Sequence, residues 1–126
     1  MKKSGRILRI LVVDDEPLIL WGISKFLAEI SEVKTVATAE QALDEIKRQD
    51  YDLCFLDYNL PGMKGLEAMK IMNVQTPNTK VAIMSGSFMD EALKRQIDAI
   101  AFAFIEKPFD LSKIREVAER VANARD

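Results

Sequence analysis

The chain has 126 residues, 48% of them hydrophobic, with 18 basic and 20 acidic side chains and a net charge of -2. That length suits one domain able to bury a real core and leaves no room for a second. The acidic balance, with a pI near 5.3 and basic residues scattered rather than striped, argues against direct nucleic-acid binding.

Met1-Lys2-Lys3 ahead of Ile7-Leu8 has a superficial likeness to a secretory leader, but Arg9 interrupts the apolar run and Asp14-Asp15 ends it early. No segment approaches membrane-spanning length. The single cysteine, Cys54, sits within Leu53-Cys54-Phe55-Leu56 and reads as a buried small hydrophobe, which fits a reducing, cytoplasmic setting.

Apolar, branched-rich runs predict five strands: β1 at Ile7 to Val13, β2 at Val33 to Ala37, β3 at Leu53 to Leu56, β4 at Val81 to Met84 and β5 at Phe102 to Ile105. Helical spacing predicts α1 over Leu18 to Ile30, α2 over Ala39 to Lys47, α3 over Leu66 to Met72, α4 over Glu91 to Ile100 and α5 over Leu111 to Ala124. Pro17 suits a first helical turn after Asp15, Thr38 and Asp110 are candidate caps, and Asn73 and Pro77 mark the exit from α3. Strict alternation demands crossovers, and strands without polar alternation belong in a parallel sheet covered on both faces. The predicted fold is α/β, doubly wound, with five parallel strands and five helices. There is no internal repeat or linker, and residues 1–126 are expected to form one domain without an output domain.

In such sheets, ligands sit beyond the carboxyl ends of the strands. Four pieces fall there: Asp14-Asp15-Glu16-Pro17, Asp57, Ser85 and Lys107-Pro108. Singly, an acidic pair is a helix cap, Ser85-Gly86 a turn and Lys107-Pro108 a loop. At four strand ends together, these plain readings give way to a shared site. Clustered carboxylates repel unless a cation intervenes, so the group fits a divalent metal, with Asp15 and Asp57 as natural direct ligands. Asp57 is the expected nucleophile toward a phosphoryl group, and Lys107 with the metal would neutralise the transferring oxygens.

These residues resemble the receiver domain of two-component response regulators over nearly the whole chain. Val12-Val13-Asp14-Asp15-Glu16-Pro17 is similar to its acidic-pair motif, and Leu56-Asp57-Tyr58-Asn59-Leu60-Pro61-Gly62-Met63-Lys64-Gly65 to its phosphoacceptor loop. Met84-Ser85-Gly86 and Phe104-Ile105-Glu106-Lys107-Pro108-Phe109 resemble the other two signatures. The resemblance implies a flavodoxin-like sheet in the order 2-1-3-4-5 and a cytoplasmic phosphorelay switch, not an enzyme beyond its own phosphorylation and dephosphorylation. Asp57 would take its phosphoryl group from a phosphohistidine on a histidine kinase or phosphotransferase, an external donor because the chain has no histidine. It further implies Mg²⁺ held by Asp15, Asp57 and the carbonyl of Asn59, with Asp14 acting through water, and Ser85 and Lys107 on the phosphoryl oxygens. A cis bond before Pro108 is expected. Asn59 and Ser87 would flank the site and influence dephosphorylation. The output would be a changed α4-β5-α5 surface for a downstream protein, with Ser85 moving inward and Phe104, in place of the commoner tyrosine, following it. An ordinary core aromatic is the alternative for Phe104.

The chain departs from the family pattern at Ile100, where glycine is usual, so α4 should run longer or leave through a reshaped turn. Phe102 makes this segment apolar, either for partner binding and phosphorylation-dependent homodimerisation or simply to fill space. Leu20 and Trp21 exceed the core stripe of the first helix. Burial at a helix interface is the favoured reading of Trp21 and a kinase or phosphotransferase docking patch the alternative. Two other functions compete. A small Mg²⁺-dependent aspartate-nucleophile phosphatase of the haloacid dehalogenase type would need an acid two residues after Asp57, where Asn59 stands. A non-phosphorylated interaction module would not need the full set of site residues.

Overall fold

The computed structural model describes residues 2–3, 5–86 and 89–124; Met1 and Ser87 lie outside the described residues. Five parallel strands, β1 (Arg9–Val13), β2 (Glu32–Val36), β3 (Leu53–Asp57), β4 (Lys80–Ser85) and β5 (Ala103–Glu106), form one sheet. Their order is β2-β1-β3-β4-β5, as expected. The helices are α1 (Pro17–Leu27), α2 (Ala39–Arg48), α3 (Gly65–Gln75), α4 (Glu91–Ile100) and α5 (Leu111–Asn123).

Period-two geometry sends alternate side chains of each buried strand to opposite faces. Leu11, Val13, Cys54, Leu56, Val81 and Ile83 pack with Ala42, Met69, Met72 and Ile97 from α2, α3 and α4. Ile10, Val12, Leu53, Phe55, Ala82 and Met84 pack with Ile23, Leu27, Ile114 and Val121 from α1 and α5. The unbroken apolar runs of β1, β3 and β4 thus reflect two cores, one on each side of the sheet. Burying a single side chain such as Phe55 contributes about 2 kcal/mol.

Several expected boundaries move, each for a local reason. Ile7 belongs to a short antiparallel hairpin, Lys2–Lys3 with Arg6–Ile7, rather than to β1. Arg6 fixes that hairpin by a two-pronged contact with Asp52, at 2.7 and 2.5 Å, and the same carboxylate accepts from the Arg9 amide. Helix α1 stops at Leu27 instead of Ile30, and the Leu27 carbonyl at its end accepts from the Ile30 amide in a tighter i→i+3 bond, from the Ser31 amide and from the Ser31 hydroxyl at 2.8 Å. Helix α3 runs on to Gln75, so Asn73 is helical and does not mark the exit.

Thr38 forms a reciprocal capping box with Gln41, but Asp110 holds the N-cap position of α5 without a side-chain cap, accepting instead from the Ser112 hydroxyl. Glu16, not Asp15, precedes Pro17 as the N-cap of α1, also without a side-chain cap. Helix α4 ends at Ile100 and passes straight into extended backbone at Ala101 (φ -83, ψ 143), so no left-handed residue is needed there. The helix ends where the sequence pattern placed it. Asn73 Nδ2 from α3 donates to the Ile100 carbonyl at 3.2 Å, satisfying one of the carbonyls that a helix end exposes.

Candidate functional site at the carboxyl edge of the sheet

The sheet delivers the acidic residues through its most buried strands. Asp14 leaves β1 fully buried, its amide donating to Val36 O and its Oδ1 accepting from the Glu16 amide at 2.9 Å. Asp57 is the last residue of β3, 4% exposed, and its Oδ1 accepts from the Asn59 amide at 3.3 Å. Asp15 is exposed beside them. One carboxylate oxygen from each of Asp14, Asp15 and Asp57 falls within 4.8 Å of the others.

Lys107 reaches this cluster from β5. Its amide donates to Ser85 O, tying it to the end of β4, and the Lys107-Pro108 bond is cis, as expected. Its Nζ lies 2.6 Å from Asp14 Oδ2, 3.5 Å from Asp57 Oδ2 and 3.9 Å from Glu16 Oε1. Burial and the neighbouring Asp14 charge raise the Asp57 carboxyl above its ordinary range, outweighing Lys107 and the Asn59 amide. Burial also pulls Lys107 down, but the hydrogen bond and charge of Asp14, with Asp57 and Glu16, win and hold its ammonium above its ordinary value. One ammonium is thus shared among three carboxylates, leaving uncompensated negative charge against a set of hard oxygen donors. Such a group fits Mg²⁺.

Glycine makes the arrangement possible at the start of α3. A Cβ on Gly65 would lie 2.4 Å from the Asp57 carbonyl oxygen and 2.9 Å from Tyr58 Cα, so no side chain fits there. This requirement, like the contact of Glu16 with Lys107, escaped the sequence reading; position 65 was visible only as the close of the loop motif. Ser85 is buried at the end of β4. With Gly86, Met89, Lys94, Phe104, Glu106 and Lys107 it lines a cavity of about 350 Å³. Phe104 is half-buried against the α2-α3-α4 core, and Asn59 is exposed on the loop after β3.

The expected partner-surface residues separate. Trp21 is 64% exposed, which overturns its expected burial; with Leu18, 82% exposed and one turn earlier, it forms an apolar ridge on α1. The reason is helical phase, since Ile23 and Leu27 already fill the side facing the sheet. Leu20 is half-buried against the α1-α5 core and does not share that ridge. Phe102 is half-buried beneath the Arg120 guanidinium of α5, 4.6 Å from its ring centre.

A doubly wound parallel sheet with three carboxylates and a lysine gathered beyond its strand ends places the chain among α/β domains with an acidic site at the carboxyl edge. The chain belongs to the response regulator receiver domain family, whose model matches residues 10–119. It is 32% identical over 117 residues to sporulation initiation phosphotransferase F of Bacillus subtilis, covering 89% of this chain and 91% of that protein. It is 31% identical over 118 residues to the chemotaxis protein CheY of Listeria monocytogenes, covering 91% and 98%. The structure matches a CheY-like receiver domain of Methanospirillum hungatei with a TM-score of 0.83 and 30% identity, over 91% of this chain and 94% of that one. Other curated relatives are longer, and the chain spans 17 to 54% of their length. Family membership makes this a receiver domain of two-component or phosphorelay signalling, a switch that works with histidine kinases or phosphotransferases and downstream targets. Among the described residues, no helix is long and apolar enough to cross a membrane.

Proposed function

We propose that this protein is switched by phosphorylation of Asp57, with Asp14, Asp15, Asp57 and the carbonyl of Asn59 holding Mg²⁺. The observation that carries this reading is the gathering of a buried Asp57 carboxylate with Asp14 and Asp15 within 4.8 Å, beside a Lys107 ammonium that pairs with Asp14 and lies 3.5 Å from Asp57. Asp57 attacks the phosphorus of a phosphohistidine on a kinase or phosphotransferase. A P–O bond forms to Asp57, the P–N bond breaks, and the imidazole nitrogen leaves with the electron pair. When bound, the metal supplies positive charge to the transferring oxygens. Lys107 shares that work, and its contact with Asp14 keeps it aimed at the site when no phosphoryl group is present.

The raised pKa of Asp57 reflects burial and, second, repulsion from Asp14, the part that a cation or a positive donor face would relieve. Phosphorylation then adds charge and acceptor oxygens beside Ser85, whose hydroxyl can turn toward them, and Phe104 can follow into the adjoining cavity. The altered α4-β5-α5 surface is read by a downstream protein. A small phosphatase is disfavoured because Asn59 cannot protonate a leaving group. Incubation with Mg²⁺ and acetyl phosphate or phosphoramidate, followed by intact-mass measurement, tests this reading. One added phosphoryl group is expected, absent in Asp57→Ala and without Mg²⁺; continued turnover of a monoester would favour the phosphatase.

A further inference from the structure

We propose that Lys94 is a positioning residue for Phe104, holding the ring in its resting place and thereby setting how readily the receiver switches. The Lys94 ammonium sits 4.3 Å from the centre of the Phe104 ring, within the range of a cation–π contact. The same Nζ donates to both carboxylate oxygens of Asp98, one helical turn on, at 2.8 Å. The ring therefore faces a cation that is also paired with Asp98. Ser85, Phe104 and Lys94 border the same cavity, so the ring has space to enter toward Ser85 and a contact that must be given up to do so. This inference rests on the switch reading above and identifies what opposes the switch.

The sequence gives the contact its significance. A tyrosine at position 104 could be held by its hydroxyl, whereas Phe104 offers only its apolar edge and the face of its ring. A cation over that face is the available polar handle, and α4 supplies it. Any contact made only in the resting position lowers the population of the switched one, and by linkage it opposes phosphorylation to the same extent. Loss of an exposed or half-exposed cation–π contact corresponds to a two- to fivefold shift, about 0.5–1 kcal/mol at 1.4 kcal/mol per tenfold.

The test compares wild type, Lys94→Met, Lys94→Arg and Asp98→Asn in the full chain, each with ring-labelled phenylalanine and with the Phe104 signals assigned through Phe104→Leu. Methionine keeps the stem and removes the cation, arginine restores a cation that stacks on aromatic rings, and Asp98→Asn releases the tether. Lys94→Met should move the Phe104 ring signals of the unphosphorylated protein toward the position they take with Mg²⁺ and acetyl phosphate. It should also tighten the binding of the phosphoryl mimic beryllofluoride, in the presence of Mg²⁺, two- to fivefold. Lys94→Arg should restore both, and Asp98→Asn should give a smaller change in the same direction. Wild-type ring signals and wild-type beryllofluoride affinity in Lys94→Met, or an arginine variant that behaves like methionine, overturn the proposal. If no variant takes up a phosphoryl group, the switch reading fails; the unphosphorylated ring signals and their rescue by arginine still decide whether Lys94 positions Phe104.

Discussion

Lys107 Nζ lies closer to Asp14 Oδ2, at 2.6 Å, than to Asp57 Oδ2, at 3.5 Å. The lysine is therefore held by a residue other than the proposed phosphoacceptor. It approaches Asp57 ready-positioned, and the pairing stabilises a buried Asp14 that would otherwise carry its charge alone.

Removing that ammonium leaves Asp14 and Asp57 uncompensated. Lys107→Met is expected to destabilise the metal-free protein by about 3 kcal/mol, the usual consequence of breaking a buried ion pair from one side. Chemical denaturation with and without Mg²⁺ checks this, and the metal should recover part of the loss. Phosphoryl uptake should fall at least tenfold.

Asp57 makes the opposite prediction. Its carboxyl is raised by burial and by Asp14, so stability falls as the pH rises from the ordinary carboxyl value through the folded one, and the cost is complete above it. Metal-free Asp57→Ala should unfold a few degrees higher at pH 7, on the order of 1 kcal/mol. Added Mg²⁺ should stabilise wild type with the concentration dependence of a single site and leave the variant nearly unchanged. Thermal scans across a magnesium series measure both effects.

Gly65→Ala should cost more than 2 kcal/mol, because its Cβ would meet backbone at Asp57 and Tyr58 rather than a movable side chain. The displaced loop carries Asn59, so magnesium affinity measured by calorimetry should fall with stability.

A second polar cluster governs behaviour at the extremes of pH. The Tyr51 hydroxyl donates to Glu45 Oε1 at 2.6 Å and accepts from Gln49 Nε2 at 2.7 Å. Burial and the Glu45 carboxylate push Tyr51 from 10.0 up to about 12. Its contribution is full below pH 10 and is lost as the pH rises through the folded value. Glu45 is lowered mainly by the Tyr51 hydrogen bond, so its share is present above its ordinary 4.5 and is lost as the pH falls through the folded value. Tyr51→Phe should cost about 1–2 kcal/mol at pH 7 and flatten the alkaline limb of a stability-against-pH curve.

The exposed ridge of Leu18 and Trp21 predicts a separation of roles. Trp21→Ala should change unfolding free energy by less than about 0.5 kcal/mol, as at other exposed sites. If the ridge docks a kinase or phosphotransferase, transfer from that partner slows while labelling by acetyl phosphate stays at the wild-type rate.

Much of this was legible in the sequence because strand ends and burial are written in the same letters. Val12-Val13 before Asp14 and Phe55-Leu56 before Asp57 announce both a buried strand and where its charge emerges. The helix α4 boundaries also coincide with the pattern, since Asp90 caps the Leu93 amide at one end and Ala101 is extended at the other. Trp21 was misread because a large aromatic beyond the core stripe was expected to wrap the edge of a helix interface, and instead it stands out on the exposed face of α1. The N-terminal hairpin depends on Arg6 meeting Asp52, 46 residues away, and Lys94 on Phe104 depends on two elements that meet only in the fold.

The most direct measurement is to mix the protein with Mg²⁺ and a histidine phosphotransferase carrying labelled phosphohistidine, then map the label by peptide mass after rapid quenching. The label should move to the peptide containing Asp57, in an acyl linkage that hydroxylamine cleaves, and Asp57→Asn should receive none. Label on Ser85 in a hydroxylamine-resistant linkage, or equal transfer to Asp57→Asn, would contradict the account.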